Sequence, residues 1–190
     1  KLFGSHILYL HFAIFSLSSD CLFVRTEAYQ FISKLFCILE CHVEQFANKL
    51  ESKDPFPEGK EILSCLRSLK NAIVMEKQQL PSLICAFICE GINILKRANH
   101  CIYPLLNKFL LSRPAIDLTD VPMYYTLFNS GTPTYRIERM WILKILSCGD
   151  RSRQDLKLLS RRHVLSTMIA LFDSPSSDHV TRPVILKVFR

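Results

Sequence analysis

Apolar residues recur along most of this chain at steps of three and four, the period that lines one face of an α-helix. Over residues 26–52 the stripe runs Phe31, Leu35, Ile38 or Leu39, Cys41 or His42, Phe46 and Leu50. The "SKDPFPEG" that follows holds two prolines and a glycine and must end that helix. A second helix is expected from Glu58 to Gln79, with Ile62, Leu66, Leu69 and Ile73 inside and Lys60, Arg67, Lys70 and Asn71 outside. Pro81 marks the next start, and "SLICAFICEGINIL" is apolar on most sides, as an inner helix is. "CIYPLLNKFLL" is a further helical run, and "DLTDVPMYYTLF" predicts a short helix capped by Thr119 or Asp120.

After "NSGTPT" the stretch "TYRIERMWILKIL" (134–146) predicts a helix with Thr132 as cap and Pro133 in its first turn. Met140, Trp141, Ile142, Leu143, Ile145 and Leu146 leave it too little polar surface to stand in water. Its start carries Arg136 and Arg139 where the helix dipole disfavours positive charge, with Glu138 or a partner as the candidates to neutralise them. Gly149 suits the left-handed position just past the helix end. Ser152 and Asp155 make a capping-box-like start for "RQDLKLLS". Val164, Leu165, Met168, Ile169 and Phe172 mark another amphipathic helix, and the last begins near Thr181 with Pro183 in its first turn. Breaks of roughly five to eight residues favour antiparallel neighbours. The expected fold is therefore all-α: antiparallel helix pairs forming a HEAT- or armadillo-like α-solenoid segment.

The first 25 residues stand apart from the helical-repeat domain expected over 26–190. "ILYLHFAIFSL" is too short for a membrane span of about 20 residues. It resembles the apolar part of a signal peptide, but the chain opens with Lys1 rather than methionine, and a buried helix is the preferred reading. At the other end "RPVILKVFR" stops inside an apolar pattern, with Ile185, Val188 and Phe189 needing a surface. The chain reads as a piece of something longer, truncated at its C-terminal end.

Composition narrows the class. The 190 residues are 49% hydrophobic with only 5 glycines, which argues for helices over a many-turned sandwich and against disorder. The net charge of +7 is unevenly placed: residues 131–190 hold 11 Lys/Arg against 5 Asp/Glu, while the first 130 are nearly balanced. Most of the 8 cysteines sit in apolar runs such as "FCILEC" and "LICAFIC", where they pass for small hydrophobes in a reducing compartment.

Chemistry is scarce. The chain has no phosphate-cradling glycine loop, no nucleophile elbow and no H-E-x-x-H pair, so no enzyme, cofactor or small-molecule substrate is indicated. Cys37, Cys41 and His42, with Cys85 and Cys89, have helical spacing compatible with zinc, yet their Phe, Ile and Leu neighbours favour core packing, and no metal is expected. What remains is a positive band: Arg136, Arg139, Lys144, Arg151, Arg153, Lys157, Arg161, Arg162 and Arg182. Arginines offer paired donors to phosphate, giving salt-sensitive, sequence-tolerant RNA binding. Glu138, Asp150 and Asp155 lie among them as rival partners, and an acidic protein surface would suit the band as well.

A family resemblance adds to this. "LSRPAIDL", "YRIERMWILKIL", "DLKLLSRRHV" and "FDSP", in this order and spacing, resemble the C-terminal region of the nucleolar pre-ribosomal-associated scaffold family. The match is strongest over 104–189 and looser over 58–103, and residues 1–24 carry none of it. The resemblance implies a nuclear, nucleolar, non-catalytic helical-repeat scaffold of early large-subunit ribosome assembly and rRNA processing. Its partners would be preribosomal particle proteins and pre-rRNA, with no membrane role. The alternative is a general HEAT- or armadillo-type adaptor that binds protein without RNA.

Overall fold

The computed structural model describes residues 2–47, 56–149 and 152–189, without the side chains of residues 2–7, Ala47 and Arg162. Among the described residues there are ten α-helices, one 3-10 turn and no strand. The chain forms two compact units, residues 1–80 with 88–116, and residues 81–87 with 117–190. No described helix is long and apolar enough to cross a membrane.

In the first unit α1 (Leu2–Ser16) packs on α2 (Leu22–Ala47), α2 on α3 (Gly59–Ala72) and α3 on α5 (Tyr103–Ser112). This succession of neighbours is the packing expected of an α-solenoid segment. Helix α4 (Ser82–Leu95), which belongs to the second unit up to Phe87 and to the first from Ile88 on, is buried along nearly its whole length, as its apolar sequence requires. Burial of α1 is one-sided, however. Leu10, Ala13, Ile14 and Leu17 are covered, while Leu8 and Phe12 are 71% and 75% exposed.

The buried stripe of α2 also differs from expectation: Ala28, Phe36 and Leu39 are inside, whereas Phe31 and Ile38 face out. "LFCIL" is apolar at five consecutive positions, so periodicity alone cannot choose between adjacent stripes. Cys37 and Cys41 are exposed with the outer stripe, as are Cys21 and Cys148, so half of the cysteines are not core hydrophobes. Cys65 and Cys85 are, and burial pushes both thiols up to about 12.

The helix expected to reach Gln79 stops at Ala72, with Ile73 extended. Two β-branched residues follow Ala72, and Gln78 Oε1 accepts from Val74 N and Met75 N. Lys77 turns left-handed at φ 57°. Residues 77–80 are instead bound to the α1–α2 turn and the start of α2. Arg25 donates to Lys77 O and Ser19 O, Tyr29 Oη to Gln78 O, and Leu80 N to Leu17 O. These remote partners outweigh one more turn of helix.

The second unit holds α6 (Tyr124–Phe128), α7 (Tyr135–Ser147), α8 (Arg153–Ser160), the 3-10 turn Arg161–His163, α9 (Val164–Asp173) and α10 (Thr181–Phe189). α7 packs on α6 and α10, and α9 on α8 and α10. Tyr124, Leu127, Trp141, Leu143, Met168 and Ile185 are among the residues of its core. The start of α6 departs from expectation, because left-handed Met123 precedes it and no side chain caps it. Thr119 and its backbone N–H are taken up by Asp117 Oδ1 in a tight turn. α7 begins after Thr134, so Pro133 lies ahead of the helix rather than in its first turn.

Gly149 is not left-handed either. Its reason is space: a Cβ there would lie 2.7 Å from Leu83 Cδ2. Leu83 is 1% exposed and its backbone N–H is held by Asp155, so it has little room to retreat. Gly149→Ala should therefore cost about 1–3 kcal/mol by overpacking. A urea melt indistinguishable from the parent's would refute this reason for the glycine.

Candidate basic surface

α8 sets its polar and apolar sides by a local cap. Ser152 Oγ accepts from Asp155 N at 3.1 Å and donates to Asp155 Oδ2 at 2.9 Å, as the Ser-x-x-Asp spacing leads one to expect. Leu158 and Leu159 then face inward, and Arg153 and Lys157, four residues apart, share the outer side. Both cations are exposed, and neither pairs with any described acid; the same holds for Lys144 on α7.

The other arginines of the band are already engaged. Arg139 Nε donates to Phe128 O at 3.1 Å, at the carbonyl end of α6, and the guanidinium lies over the Phe128 and Tyr135 rings. It ties α6 to α7, where the helix dipole favours a cation. Arg136 Nε donates to Tyr135 Oη at 3.1 Å. Tyr135 first, and then Asp178, raise its pKa further. Arg161 Nη1 donates to Thr119 O at 2.9 Å, and Arg182 stacks over Phe172. Arg136, Arg161 and Arg182 remain exposed, so a partner could still reach them. Arg162 lies in the 3-10 turn, and its side chain is not among those described; Arg151 and Asp150 lie outside the described residues altogether. His163 is exposed and left-handed at the entry to α9.

Two of the acids interspersed with these arginines, Glu138 and Asp155, are buried and bonded elsewhere. Glu138 and Asp155 are each 1% exposed. Asp155 accepts from Ser82 Oγ at 2.7 Å and from Leu83 N at 3.0 Å. Glu138 Oε1 accepts from the hydroxyls of Thr132 and Thr134, both at 2.6 Å. Burial pushes the Glu138 pKa up, but the hydroxyls of Ser130, Thr132 and Thr134 outweigh it and hold it below its ordinary value. Sequence proximity offers Glu138 to the neighbouring arginines; the structure gives it to threonines six and four positions earlier. That spacing, T-x-T-x-x-x-E, is the available signal. With two acids withdrawn into the interior, the outer side of α8 keeps its positive charge.

Among the described residues nothing else gathers into a chemical site. No three His, Cys, Asp or Glu side chains among the described residues stand together as metal ligands. A groove of about 740 Å³ is lined by α2 and α3 residues including Tyr29, Ser33, Cys37, Glu40, Leu69 and Lys70.

Comparison with known proteins bears on nearly the whole chain. The profile of the family described as nucleolar pre-ribosomal-associated protein 1 matches residues 10–190. That protein from Mus musculus is 32% identical over 136 residues, 71% of this chain and 6% of the relative. Its Homo sapiens counterpart is 28% identical over the same shares. The chain thus spans about 6% of the length of the curated relatives it matches. The family match reaches well upstream of the 104–189 stretch where the resemblance is strongest. No solved structure matches.

Proposed function

The chain belongs to the nucleolar pre-ribosomal-associated protein 1 family, and from that premise we propose that it is a non-catalytic scaffold segment of early large-subunit ribosome assembly, holding pre-rRNA through the basic side of α8. It is a nucleolar protein, as its relatives' name says. The observation that carries the RNA reading is the pair Arg153 and Lys157: exposed, on one side of one helix, and unpaired with any described acid. Uncompensated cations at helical spacing meet a phosphate backbone without needing to read bases, and each phosphate neutralised releases counterions. Arg161, exposed in the 3-10 turn that follows α8, and Arg182 are further contacts.

A second reading is an adaptor that contacts assembly factors only. Leu156 sits 50% exposed between Arg153 and Lys157, and Ile169 and Leu186 are similarly open, which suits a protein surface. Binding of a single-stranded RNA oligonucleotide, followed by anisotropy across a salt series, separates the two. Arg153→Glu with Lys157→Glu should weaken binding and lower the log–log salt slope by about 1.4, since each phosphate that a cation neutralises on a single strand adds roughly 0.7. Affinity and slope unchanged from the parent would remove RNA from this surface and leave protein contact.

A further inference from the structure

Independently of the basic surface, we infer that Thr132 is an acceptor site for a proline-directed Ser/Thr kinase, and that phosphate placed there unseats the start of α7. Thr132 is exposed in the connection between α6 and α7, and proline follows it directly, the dipeptide that this kinase class requires. What distinguishes it from any surface Thr-Pro pair is the bond its hydroxyl makes. Thr132 Oγ1 donates to Glu138 Oε1 at 2.6 Å and also meets the hydroxyls of Ser130 and Thr134, at 3.1 and 3.2 Å. Glu138 is 1% exposed, and its second oxygen, Oε2, is buried with no partner among the described residues. The guanidinium of Arg139, the nearest cation along the chain, is committed to Phe128 O. A buried carboxylate is therefore held by hydroxyl donors, and one of the two closest is the group to be modified.

In the reaction the γ-phosphoryl group of ATP passes to Thr132 Oγ1. The Oγ1–H bond breaks, the P–O bond forms, the proton leaves through the kinase's base, and ADP departs. The donor to Glu138 is lost and a group of about −2 charge takes its place beside a buried anion. Repulsion and the loss of a hydrogen bond act in the same direction. The phosphate is relieved by swinging outward into solvent, which pulls residues 132–134 off Glu138 and frays the first turn of α7. Trp141 lies on the same helix and is the only tryptophan of the chain, so the fraying has an intrinsic reporter.

The test is to incubate the 190-residue chain with ATP and a cyclin-dependent kinase, map the phosphate by tandem mass spectrometry, and record Trp141 emission and Tm. Ser174-Pro175 is the internal comparator, since the Ser174 hydroxyl accepts from Ser176 N in place of holding a carboxylate. Phosphorylation at Thr132 should red-shift the emission toward that of the unfolded chain and lower Tm; modification at Ser174 alone should do neither. Glu138→Gln removes the repelling charge and should shrink both shifts. Labelling of Ser174 with none at Thr132 would overturn the site. Stoichiometric label at Thr132 with unmoved emission and Tm would overturn the switch, and so would shifts as large in Glu138→Gln as in the parent.

Discussion

Trp141→Ala is expected to destabilise the second unit by about 3–5 kcal/mol, the range for emptying a large aromatic site in a packed core. Trp141 is 7% exposed and meets the Phe87 ring edge-on, with centroids 5.8 Å apart at 68°. That geometry sets the positive edge of one ring against the negative face of the other and adds to the area buried. The same residue also carries a cost, because its indole Nε1 is buried with no hydrogen-bond partner among the described residues. Trp141→Phe should therefore be much milder than Trp141→Ala, since it keeps most of the apolar surface and removes the unsatisfied donor. Urea melts of the two variants check both halves. If they lost stability equally, the indole would owe its effect to something other than packing.

Asp155→Ala should cost a similar amount, about 3–5 kcal/mol, for a different reason. Asp155 is buried and accepts from Ser82 Oγ, Leu83 N and Ser152 Oγ. Removing the carboxylate takes a buried acceptor away from Ser82 Oγ and Leu83 N, a loss of about 1–3 kcal/mol for each bond, and weakens the cap of α8. Asp155→Asn keeps one carbonyl acceptor and should fall between the parent and alanine. A loss below about 1 kcal/mol for Asp155→Ala would mean that these donors find other partners. Because Asp155 joins the first turn of α4 to the start of α8, the substitution also tests whether α8 holds its basic side in place by this bond.

The positive band reads differently once each cation's neighbours are known. Nine residues make a single charge stripe in the sequence. In the structure Arg139 ties two helices together, Arg161 and Arg136 each hold one internal bond, and Arg182 stacks on a ring. Arg153, Lys157 and Lys144 are the described members left without a partner. Charge counting could not sort these roles, because the carbonyl that Arg161 meets is 42 positions away.

What the sequence determined by itself is what interactions within about four residues decide. The helical periods, the buried run of α4, the inward half of α7, the Ser152 cap and Pro183 in the first turn of α10 are all of this kind, and so is the family, carried by the order of short motifs. Tertiary structure alone decided which of two adjacent apolar stripes of α2 turns inward, why α3 stops at Ala72, and why Gly149 must lack a side chain. It also decided that Glu138 and Asp155 are buried against hydroxyls and a backbone N–H instead of answering the arginines beside them. The two donors that residues 82 and 83 give Asp155 come from 73 and 72 positions away. A group whose environment is set at that separation has no period or local pattern to announce it, and burial by remote neighbours, not the charge next to it in the chain, fixes its role.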